Sequence, residues 1–326
     1  MSDSQGTEKQ STAPANSNQA KVPGRTAGFT LMTLMILLAG FWLQNSGNLS
    51  DGSADASLSQ LSGNLTGFNA DAWYLPADDM LGFVEIPAGE FIMGSNPALD
   101  NMAYENERWS PTRRQGSVDL PAYYISRYEV TVAQFNAYKI ATSKNTTAGA
   151  ENVSGNFPIM NVTWAEAVEY SRWLEEQMKA SNLTPSAIRQ LLNDGASVTL
   201  PTEPEWEKAA RGTDGRIFPW GSEPSSQFAN FGGTEIASVG SKPCPSCSYG
   251  LSDMSGNVWE FTRSPLQDYP YTTEDDFDDL GSDPIWVMRG GAYSDQINNV
   301  RAALRGGVDP GVRSPTIGFR LVVSTR

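Results

Sequence analysis

The residues best suited to chemistry lie in one run, Gly250-Leu-Ser-Asp-Met-Ser-Gly-Asn-Val-Trp-Glu-Phe261. Asp253, Asn257 and Glu260 place hard oxygen atoms along it. Gly250 and Gly256 mark points where the backbone turns or approaches another group closely. Ca²⁺ takes roughly six to eight oxygens from carboxylates, amides and carbonyls, so the composition suits a Ca²⁺ loop. It suits equally a structural turn whose carboxylates cap nearby N–H groups, and the spacing is not that of an EF-hand. From these residues alone both remain open.

The chain contains no histidine. That removes the Ser-His-Asp triad, the Cys-His pair, His-ligated zinc and the facial triad of non-haem iron. General base work would fall to Glu, Asp, Tyr or Lys. The two cysteines form a Cys-x-x-Cys unit, Cys244-Pro-Ser-Cys247, just before the central run. Such a pair can be a structural disulfide, a redox couple or part of a metal site. Outside the cytoplasm oxidation is the default, and zinc would need two further ligands that are not evident. The formal net charge of −14 argues against a nucleic-acid partner, because phosphate binding needs a basic face. Residues 267–283 carry Glu274, Asp275, Asp276, Asp278, Asp279 and Asp283. They are expected to form a solvated loop, with a ligand-binding acidic lid as the alternative.

The elements that must hold these residues are short. Residues 1–26 are polar and lack periodicity, which predicts a disordered tail. Lys21 and Arg25 precede an apolar run, residues 27–43, near the short limit of a spanning helix. The positive flank predicts a cytoplasmic N-terminus, with Trp42 as an interface anchor. A cleaved signal peptide is the alternative, although no Ala-x-Ala site follows and Phe41 stands where a lipoprotein needs Cys. Residues 44–80 read as a flexible linker, and the folded part spans 81–326. Phe83–Pro87 and Glu90–Gly94 read as strands, as does the stretch from Val118 to Val130. Capping-box patterns at Thr131, Thr163 and Thr202 predict three helices, the last ended by Gly212. Trp164, Ala167, Val168, Ser171, Leu174 and Met178 fall at helical spacing and are expected to face the core. Trp286–Tyr293, Val300–Arg305 and Ile317–Val323 are expected strands.

These pieces, taken in order, resemble the sulfatase-modifying factor family, whose best-known members are the formylglycine-generating enzymes. The residues that carry the resemblance are Ile86-Pro-Ala-Gly-Glu-Phe-Ile-Met-Gly94, Tyr128-Glu-Val-Thr131, Pro158-Ile-Met-Asn-Val-Thr-Trp164 and Leu200-Pro-Thr-Glu-Pro-Glu-Trp-Glu-Lys-Ala-Ala-Arg-Gly212. They continue with Phe218-Pro-Trp-Gly221, Gly250–Phe261, Val287-Met-Arg-Gly-Gly291, Arg301-Ala-Ala-Leu-Arg305 and Gly318-Phe-Arg320. Any one is weak; the ordered set is strong. The resemblance implies an α+β fold: one compact C-type-lectin-like domain with little regular secondary structure, here preceded by the N-terminal transmembrane helix. It implies Ca²⁺ in the central run, with Asp253, Gly256, Val258 and Glu260 as ligands, the middle two through carbonyls. A second family Ca²⁺ site would begin at Asn230 and Phe231, but no acidic counterpart is clear between Gly232 and Ser241.

The chain also departs from the family. Formylglycine-generating enzymes bind copper through two cysteines in the C-terminal stretch, a pairing that suits soft Cu(I). The matching positions here, around Ile297 and Ala302, carry no thiol, and no cysteine follows Cys247. Copper is therefore not expected. The ergothioneine-synthesis branch uses histidine-bound iron, which a chain without histidine cannot hold. The expected function is thus that of a member without oxidase activity, anchored in the inner membrane with its domain in the periplasm. It would bind a protein or peptide partner as a maturation or regulatory factor. A divergent metal-dependent oxidase acting on a peptide is the alternative, with a cleft near Trp286, Arg289, Tyr293, Arg301 and Arg305. In that case the arginines would grip a carboxylate or backbone; structural ion pairs are their other expected role. A Ca²⁺-dependent glycan-binding module ranks below both.

Overall fold

The computed structural model describes residues 80–144, 155–182, 184–272, 274 and 276–325. The expected tail, membrane span and nearly all of the linker lie outside them. Among the described residues no helix is long and apolar enough to cross a membrane.

Helices α1 (Val132–Ala141), α2 (Trp164–Ala180), α3 (Ser186–Asn193) and α4 (Glu203–Arg211) occur among these residues. Three begin as expected. Thr131, Thr163 and Thr202 each accept from the N3 backbone N–H, and Gln134, Glu166 and Glu205 reach back to the cap. Each box satisfies two N–H groups that a helix start leaves without partners. Gly212 closes α4 with φ +68°. The expected apolar face of α2 is buried from Trp164 to Met178. Helix α3 was not expected. Its N-cap, Pro185, makes no side-chain cap bond, so the start signal of the other three is missing, and only Ile188 and Leu192 are buried.

The strands are β1 (Phe83–Ile86), β2 (Gly89–Met93), β3 (Gly116–Leu120), β4 (Tyr123–Ser126), β5 (Ser197–Thr199), β6 (Trp259–Pro265), β7 (Trp286–Arg289), β8 (Gly306–Val308), β9 (Ile317–Gly318) and β10 (Val322–Ser324). They form an antiparallel sheet of order β1-β4-β10-β5, the pair β2-β3, and a sheet of order β8-β7-β6-β9. In β3, Gly116, Val118 and Leu120 are buried while Ser117 and Asp119 face out, the alternation of a sheet with one wet face. The expected strand Ile317–Val323 is two strands in different sheets. Ile317–Gly318 runs parallel to β6, and Val322–Ser324 pairs antiparallel with β4 and β5. Val300–Arg305 is not a strand, because Arg301 and Arg305 both turn inward to buried acids, and pairing with β7 starts only at Gly306.

One core packs α1, α2 and α3 against β5, β6 and β7; a second packs α4 against β1–β4. At the centre of the first, Trp164 stacks on Trp286 with ring centroids 4.0 Å apart. Such aromatic pairs contribute about 0.5–1.5 kcal/mol beyond their buried area.

Candidate functional site

The run from Gly250 enters on left-handed backbone at Gly250, Asp253, Gly256 and Asn257. At Gly256 no other residue fits: a Cβ would lie 2.1 Å from the Asn230 carbonyl oxygen. Asn257 N–H donates to that same carbonyl, and the Asn230 amide donates to Asn257 Oδ1. Asn230 thus clamps the loop. Phe231 is half-buried beside it, and Glu235, the one acid between Gly232 and Ser241, has its carbonyl held by the Asn230 amide.

Glu260 is fully buried at the start of β6. Its carboxylate accepts from Arg320 Nε at 2.6 Å, Arg320 Nη2 at 2.7 Å and Trp206 Nε1 at 2.6 Å. The parallel register sets this up, since Glu260 pairs with Gly318, two residues before Arg320. Asp253 is buried too and accepts from Gly240 N–H at 2.6 Å. Beside it sits Glu129, a residue the sequence had not singled out. Glu129 takes Asn257 Nδ2 on Oε1 at 3.0 Å and leaves Oε2 buried without a hydrogen-bond donor. Burial raises Glu129 well above the usual carboxylate range, and the charges of Asp253 and Glu260 add to it. Burial likewise lifts Asp253 to about 6, against the pull of Gly240 N–H and Arg320. When ionised, these three carboxylates outnumber the one guanidinium among them. A hard cation or a retained proton balances such a group. Among the described residues no three Asp, Glu or Cys side chains converge as a metal cage. Ca²⁺ here would therefore lean on carbonyl oxygens, with Asp253 and the free edge of Glu129 as its acids and Glu260 committed to Arg320.

The expected cleft residues fall mostly in the interior. Trp286 and Arg289 are fully buried. Arg289 donates to Glu203 at 2.8 Å and Glu207 at 2.6 Å. Arg301 meets Asp100 at 2.7 Å and Glu107 at 2.5 Å, and Arg305 meets Glu203 at 2.6 Å. The arginines are structural ion pairs. Burial opposes ionisation of Glu203, but Arg305 and Arg289 hold it below its ordinary range. Tyr293 uses its backbone to bind Asn257 and Gly233. Of these residues Arg305 reaches a surface groove of about 460 Å³, lined also by Tyr104, Asn106, Trp259, Asn299 and Leu304. The positions matching the family's copper cysteines do not line it: Ala302 is fully buried and Ile297 half-buried. Cys244 and Cys247 are joined in a disulfide. Cys244 borders a separate depression with Arg127, Tyr128 and Phe228, which shares no lining residue with the groove. The acidic segment 267–283 is not solvated throughout. Asp278 is buried, and Asp276 accepts hydrogen bonds from Ser264 and Tyr271.

Residues 74–325 match the family model of the sulfatase-modifying factor enzyme 1-like domain. A hercynine oxygenase of Mycolicibacterium smegmatis is 28% identical over 285 residues, covering 73% of this chain and 60% of that protein. The match takes in about half to three fifths of the length of the mycobacterial hercynine oxygenases. The formylglycine-generating enzyme of Mus musculus is 28% identical over 281 residues, 73% of each chain. PvdO from Pseudomonas aeruginosa superposes with a TM-score of 0.58 at 24% identity, covering 74% of this chain and 94% of that one; at that identity the likeness concerns the fold. With the family model matching most of the chain, the protein belongs to the sulfatase-modifying factor family.

Proposed function

We propose that the domain binds a protein or peptide partner as a maturation or regulatory factor, and that it does not generate formylglycine through thiolate-bound copper. The observation that carries this reading is the groove beside Trp259 and Leu304. It is lined by Asn299, Leu304 and Arg305 of the stretch where the resemblance places the copper cysteines, and that stretch carries Ile297 and Ala302 at the matching positions. Neither side chain can replace a thiolate for a soft ion. The arginines beneath are closed by Glu107, Asp100 and Glu203, which supports a rigid floor rather than a reacting centre. What remains is a depression with a Trp, a Tyr, a Leu, amide groups and the charges of Glu105 and Arg305, which suits contact with a peptide.

Ca²⁺ in the central loop belongs to this reading as a structural ion held by Asp253, Glu129 and loop carbonyls. Anchorage of the domain in the inner membrane, on the periplasmic side, is proposed from residues 27–43 of the sequence alone. The test is to incubate the full chain with Cu(I), then with a cysteine peptide of the sulfatase type, and to read copper retention and aldehyde formation. No stoichiometric copper and no conversion are expected. Turnover of the peptide would overturn the reading in favour of a divergent oxidase. In the same preparation, Ca²⁺ is expected to raise the melting temperature relative to chelator, by mass action on the folded state.

A further inference from the structure

A second, larger cavity of about 650 Å³ lies beside the first turn of α4, lined by Thr202, Glu205, Arg263, Tyr271, Asp276 and Phe277 among others. It shares no lining residue with the groove. Its size lies within the roughly 300–1,000 Å³ range of small-ligand pockets. Arg263 is the unusual group. It is only 4% exposed, yet its nearest carboxylate oxygen, Glu205 Oε2, is 3.8 Å away. That oxygen already accepts the Thr202 N–H at 2.7 Å. Arg263 Nε is buried without a hydrogen-bond partner. By contrast Arg289, Arg301, Arg305 and Arg320 each donate to a carboxylate within 2.9 Å. A buried donor left without an acceptor costs about 1–3 kcal/mol, so this guanidinium is set to gain from an arriving acceptor. Arg172, the second guanidinium in the lining, is already engaged by Asp278 through its carbonyl and carboxylate; the other charged groups have the opposite sign. Asp276 is held by the Ser264 and Tyr271 hydroxyls, and Glu274 and Asp279 are exposed at the mouth. Phe277 adds an apolar wall.

We propose that this cavity binds a short peptide carrying both a carboxylate and a basic side chain. The carboxylate lies on the Arg263 guanidinium, whose planar fork matches it, and the basic group lies among Asp276, Glu274 and Asp279. A free anion alone would be repelled by the acidic mouth, and a cation alone would leave Arg263 unmet. The inference does not depend on what the groove binds. Asp276 faces Tyr271, Ser264, Arg263 and Glu205. Burial raises its carboxyl to about 7, while the hydroxyls and Arg263 pull the other way and Glu205 adds to the rise. A bound ammonium favours the ionised form, so affinity should increase as pH rises through this value.

The test is calorimetric titration of the full chain with the tripeptide Ala-Ala-Lys and with its C-terminal amide, which lacks the sole carboxylate. Saturable binding of the acid is expected, with the amide about tenfold weaker or more. Asp276→Asn keeps the side-chain shape; it is expected to weaken the acid about tenfold and to remove the gain with pH. Arg263→Gln is expected to abolish the difference between acid and amide. If that variant does not fold, the two peptides on the unaltered chain still decide. Equal binding of acid and amide, or no saturable binding of either, would overturn the proposal.

Discussion

Glu203 carries two buried guanidiniums on one carboxylate. Arg289 Nη1 lies at 2.8 Å, Arg305 Nε at 2.6 Å and Arg305 Nη2 at 2.9 Å, and Glu203 itself is 1% exposed. Taking such charges out of water is costly, and only their close pairing repays it. Removing one partner leaves the others uncompensated. Glu203→Gln preserves the shape but not the charge, and it is expected to destabilise the domain by about 3–5 kcal/mol in urea unfolding. Lys179 provides the contrast. It pairs with Glu175 at 2.5 Å one helical turn away, but its side chain is 45% exposed. Lys179→Ala is expected to change stability by less than about 1 kcal/mol, because exposed pairs are screened and mobile. Comparable losses in the two variants would contradict the role given to the buried network.

At the scale of elements, Thr202 starts α4, and α4 presents Glu203 and Glu207 to their arginines. Thr202→Ala removes the acceptor for the Glu205 N–H, and the loss of such a cap typically costs about 1 kcal/mol. The expected loss here is at the upper end, about 2 kcal/mol, because Thr202 and Glu205 are both largely buried. Thr163→Ala, at the half-buried cap of α2, serves as the comparison, with an expected loss of about 1 kcal/mol. These starts were legible in the sequence because a capping box is local: cap and partner stand three residues apart. The core face of α2 was legible because its period is local as well. What could not be read was anything decided between distant segments. The stretch 317–323 has the apolar composition of one strand, but which sheet each half joins is set by β6 on one side and by β4 and β5 on the other. Glu129 was passed over because it meets Asp253 only through the fold. Asp276 was counted with its acidic neighbours because the hydroxyls that hold it, Ser264 and Tyr271, carry no signature in sequence. The arginines were visible as candidates, but their carboxylate partners, far away along the chain, were not.

For the whole molecule these local environments combine into a pH dependence with two opposing components. Burial opposes ionisation of Glu166, but hydrogen bonds from Arg313 and the Thr163 N–H, with the charge of Lys139, bring it from 4.5 down to about 2. Its folded pKa lies below the unfolded value, so its contribution is present above about pH 4.5 and is lost as pH falls towards 2. Asp276 acts in the other direction. Its folded carboxyl is raised from 3.8 to about 7, so the native state holds a proton that the unfolded chain releases. That contribution is complete below pH 3.8 and is lost as pH rises through about 7. Stability attributable to these two groups is therefore greatest in the acidic range between about 4 and 5, above the loss at Glu166 and before most of the loss at Asp276. Asp276→Asn removes the second component and leaves the first. Relative to the unaltered chain, the variant should gain stability between about pH 4 and pH 7 in urea unfolding and level off above that, and both should fall together below about pH 4. Parallel profiles across the upper range would mean that Asp276 is ionised in the folded protein throughout, and that the cavity beside Arg263 already carries its full negative charge at acidic pH.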